Sequence, residues 1–132
     1  MKITADTNVL VRALTRDDVR QSVAAETMLS KAETVVLTVP ALCEVVWVLS
    51  QGYKISGAEI AEALRRLIDS TNVAVNRPAA EAGLAMLERG GDFADGAIAH
   101  EGTWLGGETF VSFDKRAVKL LQAVGEQARL LD

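Results

Sequence analysis

Short β-branched segments alternate with segments of helical period from one end of the chain to the other, and this alternation restricts the possible folds more than any other property of the sequence. Residues 2–5 read as a strand that ends at Asp6-Thr7-Asn8, three side chains able to accept from the orphan N–H groups of a helix start. Val9, Leu10, Ala13 and Leu14 then follow helical spacing, Arg16-Asp17-Asp18 interrupts it, and residues 19–32 resume it. Residues 34–39 read as a second strand, and Pro40 suits the first turn of a helix over 41–51 that Gly52 closes. Ser56 caps a helix running through Ile68, with Ile60, Leu64, Leu67 and Ile68 as its apolar stripe. A third strand at 72–75, a helix from Pro78 to Arg89, a Gly90-Gly91 break and a helix over 92–105 follow. Gly106-Gly107 breaks the chain again before a strand at 109–113, a helix at 115–123 and an edge strand at 129–131. Parallel neighbours need long crossover connections, usually helical, so this order predicts an α/β fold. The expected architecture is a central parallel sheet of four to five strands flanked by helices on both faces, built as a single domain over 1–132.

At 132 residues with 49% hydrophobic and 24% charged residues, the chain has enough for one core and is too apolar to be disordered. Its net charge of −4 argues against a protein that simply coats nucleic acid, while leaving room for an acidic site that meets phosphate through a metal. The longest nearly apolar run, residues 39–49, is interrupted by Glu44 and falls short of the roughly 20 residues that span a bilayer. No secretory signal is visible in residues 1–11, and a lone Cys43 suits a reducing compartment, so a cytoplasmic protein without membrane contact is expected. The high apolar content of so small a domain points to apolar surface at a partner or dimer interface.

In open parallel sheets ligands bind beyond the carboxyl ends of the strands. Asp6 follows the first strand and Asp114 follows the strand at 109–113. Each alone reads most simply as a helix cap; two at the functional edge suggest more. Glu44 is the only charged residue between Thr34 and Gln51, set among Leu42, Cys43, Val45, Val46, Trp47 and Val48. It faces either an exposed stripe of its helix or a functional cavity, because an unpaired buried carboxylate is costly. Asp92 and Asp95 lie three apart at a helix start, where the dipole favours one acid but repulsion opposes the pair. Asp6, Glu44, Asp95 and Asp114 therefore form a candidate set of oxygen ligands, which hard cations such as Mg²⁺ prefer. With one Cys and one His the chain is poorly supplied for zinc, and it holds no P-loop, G-x-G-x-x-G or G-x-S-x-G pattern. His100, five residues after Asp95, falls on another face of the same helix.

The sequence resembles the PIN-domain ribonucleases, and among them the VapC-type toxins of bacterial toxin–antitoxin pairs. The resemblance rests on residues 3–11, 39–49, 92–99 and 113–115, each holding an acid in its expected local context. It implies that Asp6, Glu44, Asp95 and Asp114 are catalytic. Asp6, Asp95 and Asp114 would be metal ligands, with Glu44 and Asp92 as further candidates. Asn8 would stand as a polar partner of the first acid, and Ser112, where the family often has Thr, would keep a hydroxyl near the metal. Gly96 replaces the Ala usually found after the third acid, a change expected to loosen the helix start by up to about 1 kcal/mol. The implied activity is Mg²⁺- or Mn²⁺-dependent hydrolysis of RNA phosphodiester bonds, restrained by a cognate antitoxin that places a basic side chain among the acids of a homodimeric toxin. Arg12, Arg16, Lys115 and Arg116 follow the strand ends and are candidates for contacts to flanking phosphates. A phosphoacceptor signalling domain or a non-catalytic interaction domain of α/β fold is the alternative, but the first requires adjacent acids after the first strand, and these are missing.

Overall fold

The computed structural model describes residues 1–132, which divide into two compact units, Met1–Asn76 and Arg77–Asp132. The first unit runs β1 (Lys2–Thr4), α1 (Thr7–Thr15), α2 (Val19–Lys31), β2 (Thr34–Leu37), α3 (Val39–Trp47), a π-helical segment (Val48–Gly52), α4 (Gly57–Ile68) and β3 (Val73–Val75). Its three strands pair in the order β1-β2-β3, all parallel, with Ile3 opposite Val35 and Val36 opposite Ala74. Parallel order forces each connection to cross over, and the helices between β1, β2 and β3 supply those crossovers. It also brings the carboxyl ends of β1 and β2 to the same edge of the sheet, so Asp6 and the start of α3 share that edge.

Local chemistry explains the helix boundaries. Thr38 Oγ1 accepts from Ala41 N–H at 3.3 Å and Pro40 sits in the first turn of α3, where its missing donor costs nothing. Ser56 Oγ accepts from Glu59 N–H at 3.3 Å to start α4. Ile60, Ala61, Leu64 and Ile68 form its buried face, and each large aliphatic side chain there contributes on the order of 1.5–3 kcal/mol of burial. Arg16, with φ of 58°, turns the chain out of α1 in the left-handed conformation. The helix expected over 41–51 is α-helical only to Trp47. It widens into π geometry through Gly52, closed by Tyr53 N–H to the Val48 carbonyl at 3.2 Å.

The second unit runs α5 (Arg77–Glu88), α6 (Phe93–Trp104), β4 (Phe110–Ser112), α7 (Lys115–Ala123) and β5 (Ala128–Leu130). The fold is α/β, as the alternation requires. The expectation of four to five strands in one central sheet is corrected: five strands form two ladders, of three and of two, because β4 pairs in parallel with β5. Strand periodicity marks where strands lie but not which neighbour a three-residue strand will choose. Met86, Ala99 and Leu121 make a buried cluster, with Phe110, Leu120 and Ala128 packed against it. α5 and α6 approach closely at two glycines. A Cβ on Gly83 would lie 2.6 Å from the Phe93 ring, and one on Gly96 would meet the Ala82 backbone and lie 2.8 Å from Met86 Cγ. Gly96 is therefore not a loosened helix start, as its sequence context suggests, but the point that lets α6 seat on α5. No helix is long and apolar enough to cross a membrane.

Candidate active site

Three of the candidate acids cap helices, and all three do so with one carboxylate oxygen. Asp6 Oδ1 accepts from Thr7 N–H at 2.8 Å at the start of α1. Asp92 Oδ1 accepts from Ala94 N–H at 3.1 Å at the start of α6. Asp114 Oδ1 accepts from Arg116 N–H at 3.0 Å and Ala117 N–H at 3.1 Å at the start of α7. The simple capping interpretation of these residues is thus correct as far as it goes, and it leaves Oδ2 of each without a hydrogen bond in the protein. Backbone donors fix the carboxylate plane, and the remaining oxygen is open to a ligand.

In the first unit, Asp6 and Glu44 line one open cavity of about 470 Å³ together with Asn8, Arg12, Val48 and Tyr53. Glu44 is exposed, one of a stripe of Pro40, Glu44 and Trp47 on α3, while Ala41, Leu42, Val45 and Val46 are buried. Glu44 of this stripe opens on the cavity that holds Asp6. Arg12 and Tyr53 of its lining belong to a network, extending beyond the cavity to Asp17 and Gln21, that sequence reasoning did not find. Arg12 Nη1 donates to Asp17 Oδ1 at 2.8 Å, Arg12 Nε donates to Gln21 Oε1 at 2.6 Å, and the Tyr53 hydroxyl donates to Asp17 Oδ2 at 2.6 Å. The Tyr53 bond is the largest influence holding the Asp17 carboxyl below its ordinary value, with Thr15 and Arg12 adding to it against partial desolvation. The available signal was thin: Tyr53 is the only tyrosine of the chain, and it follows Gly52.

In the second unit, Asp95 stands in the first turn of α6, half-buried, with no hydrogen bond or ion pair of its own. Burial first, then the charges of Asp92 and Asp114, push its carboxyl above the ordinary aspartate value. Ser112 Oγ accepts from Asp114 N–H at 2.9 Å, so the hydroxyl at the end of β4 orients the residue that carries the acid. Lys115 and Arg116 are exposed at the start of α7, and Arg116 Nη2 lies 2.8 Å from where a Cβ on Gly90 would be. Arg16, in the first unit, ion-pairs with Glu26 at 2.6 Å. His100 is half-buried further along α6.

Donor chemistry decides which ion these residues would suit. The donors are carboxylate oxygens with Asn8 and Ser112 nearby in sequence, and Asp95 is strained by like charges that a cation would relieve. No group of three or more His, Cys, Asp or Glu side chains is arranged to hold a metal ion. Carboxylate oxygens without a Cys and His set fit a hard divalent cation and do not fit a closed structural zinc site.

Residues 3–121 match the PIN domain, and the chain belongs to that family. The PIN domain is in general a metal-dependent nuclease, a hydrolase of phosphodiester bonds. Among curated proteins none matches the chain.

Proposed function

We propose that the protein is a Mg²⁺-dependent endoribonuclease of the VapC type, accepting Mn²⁺ in place of Mg²⁺ and acting as the toxin of a toxin–antitoxin pair. In this reading residues 1–132 work as one catalytic domain in the cytoplasm, and Asp6, Glu44, Asp95 and Asp114 serve the same hydrolysis. Asp6, Asp95 and Asp114 are the proposed metal ligands, with Glu44 and Asp92 as additional ones, and Asn8 and Ser112 support them. The observation that carries the reading is the pairing of capped acids, each with a bare Oδ2, with an Asp95 that burial and two neighbouring carboxylates hold above its ordinary pKa in a family of nucleases. When bound, the cation would polarise the scissile phosphate and lower the pKa of a bound water. The chain's own part is to hold Asp6 and Asp114 in fixed planes through backbone N–H groups and to present the exposed Glu44 carboxylate, which would orient the attacking water or accept its proton.

Cleavage of RNA by the purified protein with Mg²⁺ or Mn²⁺, and its loss on adding EDTA, tests the reaction. Asp6→Asn and Asp95→Asn should each lose about 10²-fold or more, as misplacing a reacting group does. Because residues acting on one step lose activity non-additively, the double variant should be scarcely worse than either single one. Full activity in EDTA would overturn the metal reading. The toxin role predicts growth arrest on expression, relieved by co-expressing the neighbouring gene, whose product is the proposed antitoxin. Exposed Val19, Val23 and Met28 on α2, with Trp47 at 67% exposure on α3, supply apolar surface suited to an antitoxin or to a second copy in a homodimer.

A further inference from the structure

We propose that Arg12 is a substrate-binding residue that grips a backbone phosphate of RNA beside Asp6 and Glu44, and that Tyr53 and Asp17 set its position. The proposal rests on the nuclease reading above and adds the group that brings the substrate to an acidic cavity. Among the residues lining that cavity, Arg12 is the only cation, against the carboxylates of Asp6 and Glu44. Of the lining residues it alone can attract a phosphate through its charge.

The guanidinium is fixed from three segments of chain. Gln21 of α2 holds Nε, Asp17 of the α1–α2 connection holds Nη1, and the Tyr53 oxygen, 3.5 Å from Nη1, is itself bonded to Asp17. Thr15 donates its hydroxyl to Asp17 Oδ1 at 3.0 Å and completes the clamp. Nη2 takes part in none of these bonds, so a planar group held at Nε and at Nη1 keeps the two N–H donors of Nη2 for a ligand. An exposed ion pair contributes little to stability. Convergence of Asp17, Gln21 and Tyr53 on one guanidinium at the cavity wall is better explained by orientation, since a pre-set fork loses less freedom when it takes a phosphate. Arg12 contacts the substrate in this account; Tyr53 is a positioning residue acting through Asp17.

Steady-state cleavage of a fluorescently labelled, mixed-sequence single-stranded RNA tests it, using the full chain with Mg²⁺ across a salt series. Arg12→Gln should raise KM about tenfold, the weight of one charge-assisted contact, with a smaller effect on kcat. It should also make the slope of log(kcat/KM) against log[salt] shallower by about 0.7, the share of one phosphate on a single strand. Arg12→Lys keeps the charge and should keep the slope while KM still rises, because an ammonium cannot be held as a fork. Tyr53→Phe should raise KM part of the way with the slope unchanged. Arg66→Gln removes the same charge from α4, where Arg66 pairs with Glu62, and should move neither quantity. If the wild-type enzyme cleaves RNA and Arg12→Gln matches it in KM and slope, Arg12 is structural and the nuclease reading stands. If the wild-type protein cleaves no RNA with either ion, both readings fall together. Should Arg12→Gln fail to fold, Arg12→Lys and Tyr53→Phe decide the matter through KM alone.

Discussion

Gly96 of α6 lies so close to Ala82 of α5 that a Cβ on it would stand 2.8 Å from the Ala82 carbonyl carbon and meet the oxygen beyond it. The neighbour is backbone and cannot swing away. Gly96→Ala should therefore lower stability by about 1–3 kcal/mol, the usual cost of overpacking, despite the better helix propensity of alanine. Gly102, in the same helix, has nothing within 4 Å of a built Cβ, and Gly102→Ala should raise stability by up to about 1 kcal/mol. Denaturant melts of the two variants check this contrast, and a stabilised Gly96→Ala would show that α5 and α6 part without strain.

Asp95 gives a prediction of opposite sign to that of an ordinary first-turn acid. Its folded pKa is raised by burial, Asp92 and Asp114, so its favourable contribution is fully present below the ordinary value of 3.8 and is lost as pH rises through the higher folded value. At neutral pH without metal, Asp95→Asn should melt at or above the wild-type temperature, and the gap should close as the medium is acidified. Added Mg²⁺ should raise the wild-type melting temperature more than that of the variant. An acid that merely complements the helix N-terminus would instead lose about 0.3–1 kcal/mol as Asn, with equal metal responses in both proteins.

Capping and chemistry separate at Asp114. Asp114→Ala removes the acceptor for Arg116 and Ala117 N–H and should cost about 0.5–2 kcal/mol, whereas Asp114→Asn keeps an acceptor and should melt close to wild type. Both should lose cleavage to a similar degree, about 10²-fold or more. Retained cleavage in Asp114→Asn would remove this residue from the metal ligands while leaving its cap intact.

The hydroxyl of Tyr53 holds the Asp17 carboxyl below its ordinary value of 3.8. A depressed carboxyl adds stability above its unfolded pKa, and that stability is lost as pH falls through the folded one. Tyr53→Phe should thus be less stable than wild type at neutral pH, and the two should converge below about pH 3.8, the unfolded value. Parallel melting curves across that range would show that the bond does not shift the titration.

Most of the element boundaries were legible because caps and breakers are local. Ser56, Asp92 and Asp114 start helices where their side chains predict, and α7 spans the residues that the pattern assigns to it. Strand pairing was not legible, since β4 carries nothing in its own residues that distinguishes β5 from a central neighbour. Nor was the π turn, which no helix-breaking residue within 48–51 announces. The candidate aspartates stood out by their positions at strand ends and helix starts, and Glu44 as the lone charge of an apolar helix. Asp17, Gln21 and Tyr53 did not, because they meet across separations such as the 36 residues between Asp17 and Tyr53. Gly96 was misjudged for a related reason: propensity describes a helix alone, and this glycine answers to the helix beside it.

At Asp6, Asp92 and Asp114 the fold uses one oxygen, and the proposed chemistry uses the other. An asparagine meets the first demand and fails the second, and a single base change in an aspartate codon produces it. Loss of function at these positions therefore need not pass through misfolding. Under the toxin reading proposed above, a cell harmed by this protein would have a short genetic path to a silent version that still folds and keeps its outer surface.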